Sequence, residues 1–292
     1  MRTYFECLPC FTKQAMTILE FISEELHEEF IRESMHMLGD VDYSLTPPEL
    51  AKRMYETAYK YTGSTDFYKE KKRKSNEFVM RLYPELEKSV QESSDSFSTA
   101  VRYAIAGNII DFGATHNFSM DVLQHELCDA LASTEITEDE IEDLRSEIEK
   151  ADRILYIGDN AGEIVFDKLL LNELPGEKVV FSVRGGPIIN DALMEDAEEV
   201  GITDKVKVIS SGVAIPGTCP KECSDEFRTC FDEADLIISK GQGNYETLNS
   251  VEKNIFFLLK IKCPVVAKSL NGEIGHCVCM RSPVYSRTAG QK

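Results

Sequence analysis

The chain of 292 residues carries a formal net charge of −19, lacks tryptophan and is 42% hydrophobic. That length suits one large domain or two modest ones around a real core, and the apolar content excludes the disordered class. The acidic balance argues against a nucleic-acid footprint, which needs a basic face. A small anionic substrate is not excluded, because a bound cation with one or two Lys or Arg reverses the local field.

The first residues, Met1 to Cys7, lack the apolar stretch of a secretory signal, and no window approaches the ~20 apolar residues of a membrane span. The expected location is the cytoplasm, without a membrane partner. Nine cysteines in a chain this long do not read as a disulfide scaffold, and cytosolic thiols stay reduced. From Thr12 onward Ala15, Leu19, Ile22, Leu26 and Phe30 fall at helical spacing with glutamates between them, which predicts a helix. Thr46-Pro47-Pro48-Glu49 is a helix start, with Thr46 as cap, proline in the first turn and Glu49 closing a capping box. Lys69 to Lys74 reads as a solvated basic face, and Tyr83-Pro84 should break or bend its helix. Thr137-Glu138-Asp139-Glu140 opens a capped helix ending near Lys150.

The texture changes at Asp152. Arg153 to Ile157, Lys178 to Val183, Val206 to Ser210, Asp235 to Ser239 and Cys263 to Ala267 are strand candidates, and Glu163 to Leu174 and Ile188 to Val200 read as helices. This alternation predicts an α/β fold: a mostly parallel sheet flanked by helices, Rossmann-like and three-layered, with a helical N-terminal subdomain. The expected division is 1–150 helical and 151–292 α/β, packed as one unit because no repeat or low-complexity linker separates them. In such sheets ligands bind beyond the C-terminal ends of the strands, which directs attention to the loops at Asp159, Arg184 and Lys240.

Gly158-Asp159-Asn160-Ala161-Gly162-Glu163 lies where a strand gives way to a helix. Adjacent carboxylate and carboxamide oxygens there either hold a hard cation or cap the helix. Asn190-Asp191 brings another carboxylate to the same edge or caps its own helix. Arg184 meets a phosphate or makes a surface ion pair. In Ser239-Lys240-Gly241-Gln242-Gly243-Asn244-Tyr245-Glu246 the glycines let backbone N–H groups approach an anion and Lys240 adds charge. It is neither a Walker A loop nor a dinucleotide fingerprint. Cys7 and Cys10 form a CxxC, half a zinc site or a redox pair, without a second CxxC at suitable spacing. Cys219, Cys223 and Cys230, or Cys277 and Cys279 with His276, leave a composite site open. His116 and His125 read as packing or surface residues.

Four segments, Glu6 to Phe11, Ala106 to Asp111, Gly158 to Glu163 and Ser239 to Glu246, together resemble the damage-control phosphatase family, once called domain of unknown function 89; the CxxC resembles its microbial and archaeal subgroup. The resemblance implies phosphatase activity on small phosphorylated metabolites such as sugar phosphates, with a divalent metal (Mn²⁺, Ni²⁺, Co²⁺ or Mg²⁺). It implies metal ligation by Asp159, Asn160 and Asp191, and a phosphate contact from Lys240. Glu163, Arg184, Gly241, Gly243, Asn244 and Asn108 complete the expected substrate-binding set. A metal held by oxygen leaves Cys7 and Cys10 dispensable for turnover. Two departures stand out: Lys260-Ile261-Lys262-Cys263 replaces the Arg-Thr-x-Lys of eukaryotic relatives, and Gly272 to Cys279 lacks the usual Gly-Asp ending. The rival readings are an S-adenosylmethionine-dependent carboxyl methyltransferase, for which no pocket motif is visible, and a non-catalytic phosphometabolite sensor.

Overall fold

Strands β1 (Ile154–Ile157), β2 (Val179–Val183), β3 (Lys207–Ser210), β4 (Leu236–Lys240), β5 (Ile255–Lys260) and β6 (Cys277–Arg281) form one sheet in the order β3-β2-β1-β4-β5-β6. The structure is a computed structural model and describes residues 1–107 and 136–285. Asn108, His116 and His125 lie outside the described residues. The first five strands are parallel, and β6 pairs antiparallel with β5. β1 and β4, central in the sheet, are buried at every position, as expected of strands covered on both faces. Strand order reverses between β1 and β4, which opens a crevice at their C-terminal ends.

The helices are α1 (Leu8–Ile18), α2 (His27–Gly39), α3 (Pro47–Thr62), α4 (Lys69–Glu92), α5 (Ser96–Ala106), α6 (Glu138–Lys150), α7 (Glu163–Asn172), α8 (Met194–Glu199), α9 (Asp225–Glu233), α10 (Gln242–Leu248) and α11 (Pro264–Leu270). Strand side chains alternate between two cores. Tyr156, Phe181, Ile238 and Phe256 meet α4 to α7 through Leu82, Val101, Leu144 and Phe166. On the other face Leu155, Ile237 and Phe257 meet Phe227, Tyr245 and Val266. Three layers result. A third cluster joins α1, α2 and α3 through Phe11, Ile18, Phe30, Leu50 and Met54, and Ile188 packs into it from the loop after β2.

The capping box predicted at Thr46 with Glu49 forms, and the capped helix expected from Thr137 opens with a box of its own, closed by Glu140. Four other expectations are corrected. The helix predicted from Thr12 is broken at Ile22 and Ser23, both extended, so that α2 folds back and Ala15, Ile18 and Phe30 share one cluster. α4 runs through Pro84 without ending, its buried Val79, Leu82, Leu86 and Val90 outweighing one lost backbone hydrogen bond. Within the basic run, Lys72 is buried between Asp66 (3.1 Å) and Asp196 (3.5 Å) instead of facing water. Cys263 to Ala267 is no strand: Cys263 is the N-cap of α11 and Pro264 opens it, while the next strand is Ile255–Lys260.

Candidate active site

The loop after β1 and the loop after β2 are bound to each other by their backbones. Ala161 N donates to Asn190 O (2.9 Å) and Ala192 N to Asp159 O (2.8 Å), forming an isolated antiparallel bridge between Asn160 and Asp191. This pairing replaces the helix expected from Ile188: Ile189 takes a left-handed φ of 46°, and helix appears only at α8. The bridge sets the side chains of Asp159, Asn160 and Asp191 side by side on a cavity wall.

Arg184, at the end of β2, crosses behind them. Its Nε donates to Asp191 Oδ2 (2.6 Å), Nη2 to Asp159 Oδ1 (3.2 Å) and Nη1 to Asn244 Oδ1 (3.1 Å) and Thr218 Oγ1 (3.3 Å). Asn244 is held on all sides: its Nδ2 donates to Lys240 O (2.7 Å) and Gly158 O (3.3 Å), and its Oδ1 also accepts from Thr218 Oγ1 (2.8 Å). Asn160 Nδ2 donates to Asp159 Oδ2 (2.8 Å) and Glu163 Oε2 (2.9 Å). Lys240, fully buried at the end of β4, donates to Glu163 Oε1 (2.7 Å) and Asp167 Oδ1 (2.5 Å). Gly241 is required by this crowding: at φ 79°, a Cβ there would stand 1.9 Å from Asp159 Oδ2.

Four buried carboxyl groups, Asp159, Glu163, Asp167 and Asp191, thus face two buried cations, Arg184 and Lys240. Burial raises the pKa of Asp159 to about 8, helped by the charges of Glu163 and Asp191 against Arg184. Burial also pushes Asp167 up to about 6, with Lys240 opposing, and raises Asp191 despite Arg184. Lys240 is driven upward, since Asp167 and Glu163 outweigh the burial that disfavours its charge. Two more carboxyl groups than cations among these oxygen donors fit a divalent hard cation, which would displace the protons that burial favours. Asp191 Oδ1 and Asn160 Oδ1 accept no hydrogen bond among the described residues, which leaves ligand capacity toward the cavity.

The cavity measures about 350 Å³. Asp159, Asn160, Asp191 and Gly243 form one side; Cys7, Cys10 and Phe11 of the N-terminal turn and α1, with Pro47 of α3, form another. Lys240, Glu163, Arg184, Gly241 and Asn244 do not reach its wall; they stand behind it. Lys262 is the one Lys or Arg on the wall among the described residues, and no ion pair there engages its ammonium. Gln242 and Glu246 line it as well, with Gln242 Nε2 donating to Glu246 Oε1 (2.9 Å) and Gln242 Oε1 accepting from Lys262 N (2.8 Å). Sequence reasoning missed Asp167 and Lys262. Asp167 was visible as the single acidic residue one turn after Glu163 in an apolar helix, whereas nothing local marks Lys262.

Elsewhere, ligand atoms of Glu49, Cys219 and Glu222 lie within 4.8 Å of one another. Glu49 is committed to its capping box and Glu222 to Lys52 (3.0 Å), so this group is bound into structure already. No disulfide joins the cysteines among the described residues, and Cys277 and Cys279 are buried in the core.

A doubly wound sheet with a cluster of buried carboxyl groups at its switch point defines the class of this protein. Residues 3–278 match the model of the damage-control phosphatase ARMT1-like domain, and the chain belongs to that family. It is 35% identical over 289 residues to damage-control phosphatase PH1575 of Pyrococcus horikoshii, covering 97% of this chain and 99% of that one. The crystal structure of that DUF89 family protein superposes with a TM-score of 0.88 over the same shares of the two chains. A damage-control phosphatase of Archaeoglobus fulgidus is 36% identical over 263 residues, 87% of this chain and 90% of the relative.

Proposed function

We propose that the protein is a divalent-cation-dependent phosphatase that hydrolyses a small phosphorylated metabolite, in the damage-control role its relatives are named for. The observation that carries this reading is four buried carboxyl groups against two buried cations beside a cavity whose wall, among the described residues, offers one cation, Lys262. Asp159, Asn160 and Asp191 would hold the cation; Mn²⁺, Ni²⁺, Co²⁺ and Mg²⁺ all accept such oxygen donors. When bound, it supplies Lewis-acid polarisation of a phosphoryl oxygen and helps neutralise the substrate's charge.

The remaining work belongs to the chain. Arg184 fixes Asp159 through Oδ1 and Asp191 through Oδ2, while Asn160 holds Asp159 Oδ2, so the two carboxyl groups keep one orientation. Lys240 donates to Glu163 and Asp167, opposing the burial that raises Asp167, and Glu163 in turn holds the Asn160 amide so that its oxygen faces forward. Lys262 is positioned to pair with the phosphate, a charge-assisted contact about twice as strong as a neutral one. A cavity of about 350 Å³ lies at the small end of ligand sites, in keeping with a metabolite and not a macromolecule. Phosphate release from p-nitrophenyl phosphate, by chelator-treated protein with and without Mn²⁺, tests the reading. Turnover should require the cation and fall on the order of 10²-fold in folded Asp159→Asn and Asp191→Asn variants. Full turnover in the chelated protein would remove the cation from the mechanism, and no turnover in either state would remove the phosphatase.

A further inference from the structure

We propose that Glu246 donates the proton to the leaving-group oxygen of the ester; this rests on the phosphatase reading and gives a role to an acid that reading leaves unused. An alkyl phosphate must expel an alkoxide, about as basic as hydroxide formed from bulk water, so a positioned acid contributes about 10²–10⁴-fold. Outside the cation loops, the carboxyl groups on the cavity wall are Glu6 and Glu246. Glu6 is exposed, whereas Glu246 is 8% exposed and shielded from bulk water.

The backbone sets its reach. α10 starts directly after Gly241, which abuts Asp159, and Glu246 follows five residues later, about 7.5 Å along the helix axis. Helical side chains lean toward the helix N-terminus, so the Glu246 carboxyl tilts back toward the cation loop. Its hydrogen bond from Gln242, one turn earlier, has that direction. Gln242 holds Oε1, while Oε2 accepts no hydrogen bond among the described residues. The same Gln242 amide fixes the Lys262 backbone, so the acid and the phosphate-binding ammonium are spaced by one side chain. Burial raises the Glu246 carboxyl to about 7, which keeps a proton available near neutrality; Gln242 and the Met1 ammonium oppose the shift. Cys7 and Cys263 face it with thiols raised by their own burial.

In the step, the bond between phosphorus and ester oxygen breaks and its electron pair stays on oxygen. The Glu246 proton moves to that oxygen, giving the alcohol. Water forms the new bond to phosphorus, giving hydrogen phosphate, and the proton it releases returns through solvent to Glu246.

The test compares Glu246→Gln with wild type on two esters at saturating Mn²⁺. On glycerol 2-phosphate, whose alkoxide needs a proton, kcat/KM should fall about 100-fold. On p-nitrophenyl phosphate, whose phenolate leaves without one, the loss should stay below about tenfold. Equal losses on both esters, or none on either, overturn the role of Glu246 while wild-type turnover of p-nitrophenyl phosphate leaves the phosphatase standing. Absence of that wild-type turnover overturns both. If the glutamine variant does not fold, a series of aryl phosphates with the wild type decides: weak dependence on leaving-group basicity supports the donor, and steep dependence overturns it.

Discussion

Lys240 and Lys262 are both lysines of the switch-point crevice, but their surroundings assign them different work. Lys240 is sealed between Glu163 and Asp167, whereas Lys262 stands on the cavity wall. Lys240→Ala strands two buried carboxylates and should cost about 3–5 kcal/mol of stability, read as a lowered urea midpoint. Lys262→Ala should stay within about 0.5 kcal/mol of wild type in the same experiment and raise KM for the phosphate ester. An unchanged KM in Lys262→Ala, with a raised KM in a stably folded Lys240→Ala, would return the phosphate contact to Lys240. The raised carboxyls set a pH dependence. Asp159 at about 8 and Asp167 at about 6 bind protons more tightly when folded than when unfolded, where a carboxyl titrates near about 3.9. Above about pH 4 the folded state therefore holds the extra protons. Stability of the cation-free protein should fall as pH rises, by up to about 1.4 kcal/mol per unit for each group, until about pH 6 for Asp167 and about pH 8 for Asp159. A bound divalent cation replaces those protons. Urea midpoints from about pH 5 to about pH 9 should decline after chelation and stay nearly level in saturating Mn²⁺.

At the scale of elements, α4 supports the site from behind. Asn76 Oδ1 accepts from Gly162 N (2.7 Å), at the start of α7, while its Nδ2 donates to Asp196 Oδ1 (2.9 Å) and Glu199 Oε2 (3.0 Å) on α8. One amide therefore ties together the helices that follow the loops carrying Asp159 and Asp191. Asn76→Ala should cost about 1–3 kcal/mol, because the Gly162 N–H loses its buried partner. It should also weaken Mn²⁺ binding, measured by calorimetry without substrate, by about 10–100-fold. A stability loss with unchanged Mn²⁺ affinity would confine Asn76 to packing. This arrangement marks the limit of what was legible in the sequence. The box at Thr46 and the capped helix start at Thr137 were readable because the partners lie within a few residues, and β1, β2 and β4 because doubly covered strands are near-continuous apolar runs. Cys263 to Ala267 misled because five apolar residues fit strand and buried helix alike; Pro264 was the overlooked helix start. The loops at Asp159 and Asp191 were readable as strand ends, but their pairing, the burial of Lys72 and the Lys240–Asp167 contact depend on residues 31 to 124 positions apart.

For the whole molecule, the net charge of −19 and the local site act on a phosphate ester with opposite signs. The overall field repels a dianion at long range, whereas a bound cation and Lys262 attract it at contact. Salt separates the two, since the Debye length shortens from about 30 Å at 0.01 M to about 8 Å at 0.15 M, and surface charges beyond that distance drop out. The short-range contacts inside a half-enclosed cavity are screened much less. With free Mn²⁺ held saturating, raising sodium chloride across that range should lower KM about two- to fivefold and leave kcat nearly constant. Lys262→Ala removes part of the attraction, so its KM should start higher and fall more steeply over the same range. Initial rates on p-nitrophenyl phosphate, with chloride as the added anion so that no competing oxyanion enters the site, measure both slopes. A KM that rises with salt in wild type but not in Lys262→Ala would mean that the cavity's own field, with Lys262 as its main exposed source, governs substrate capture despite the acidic surface.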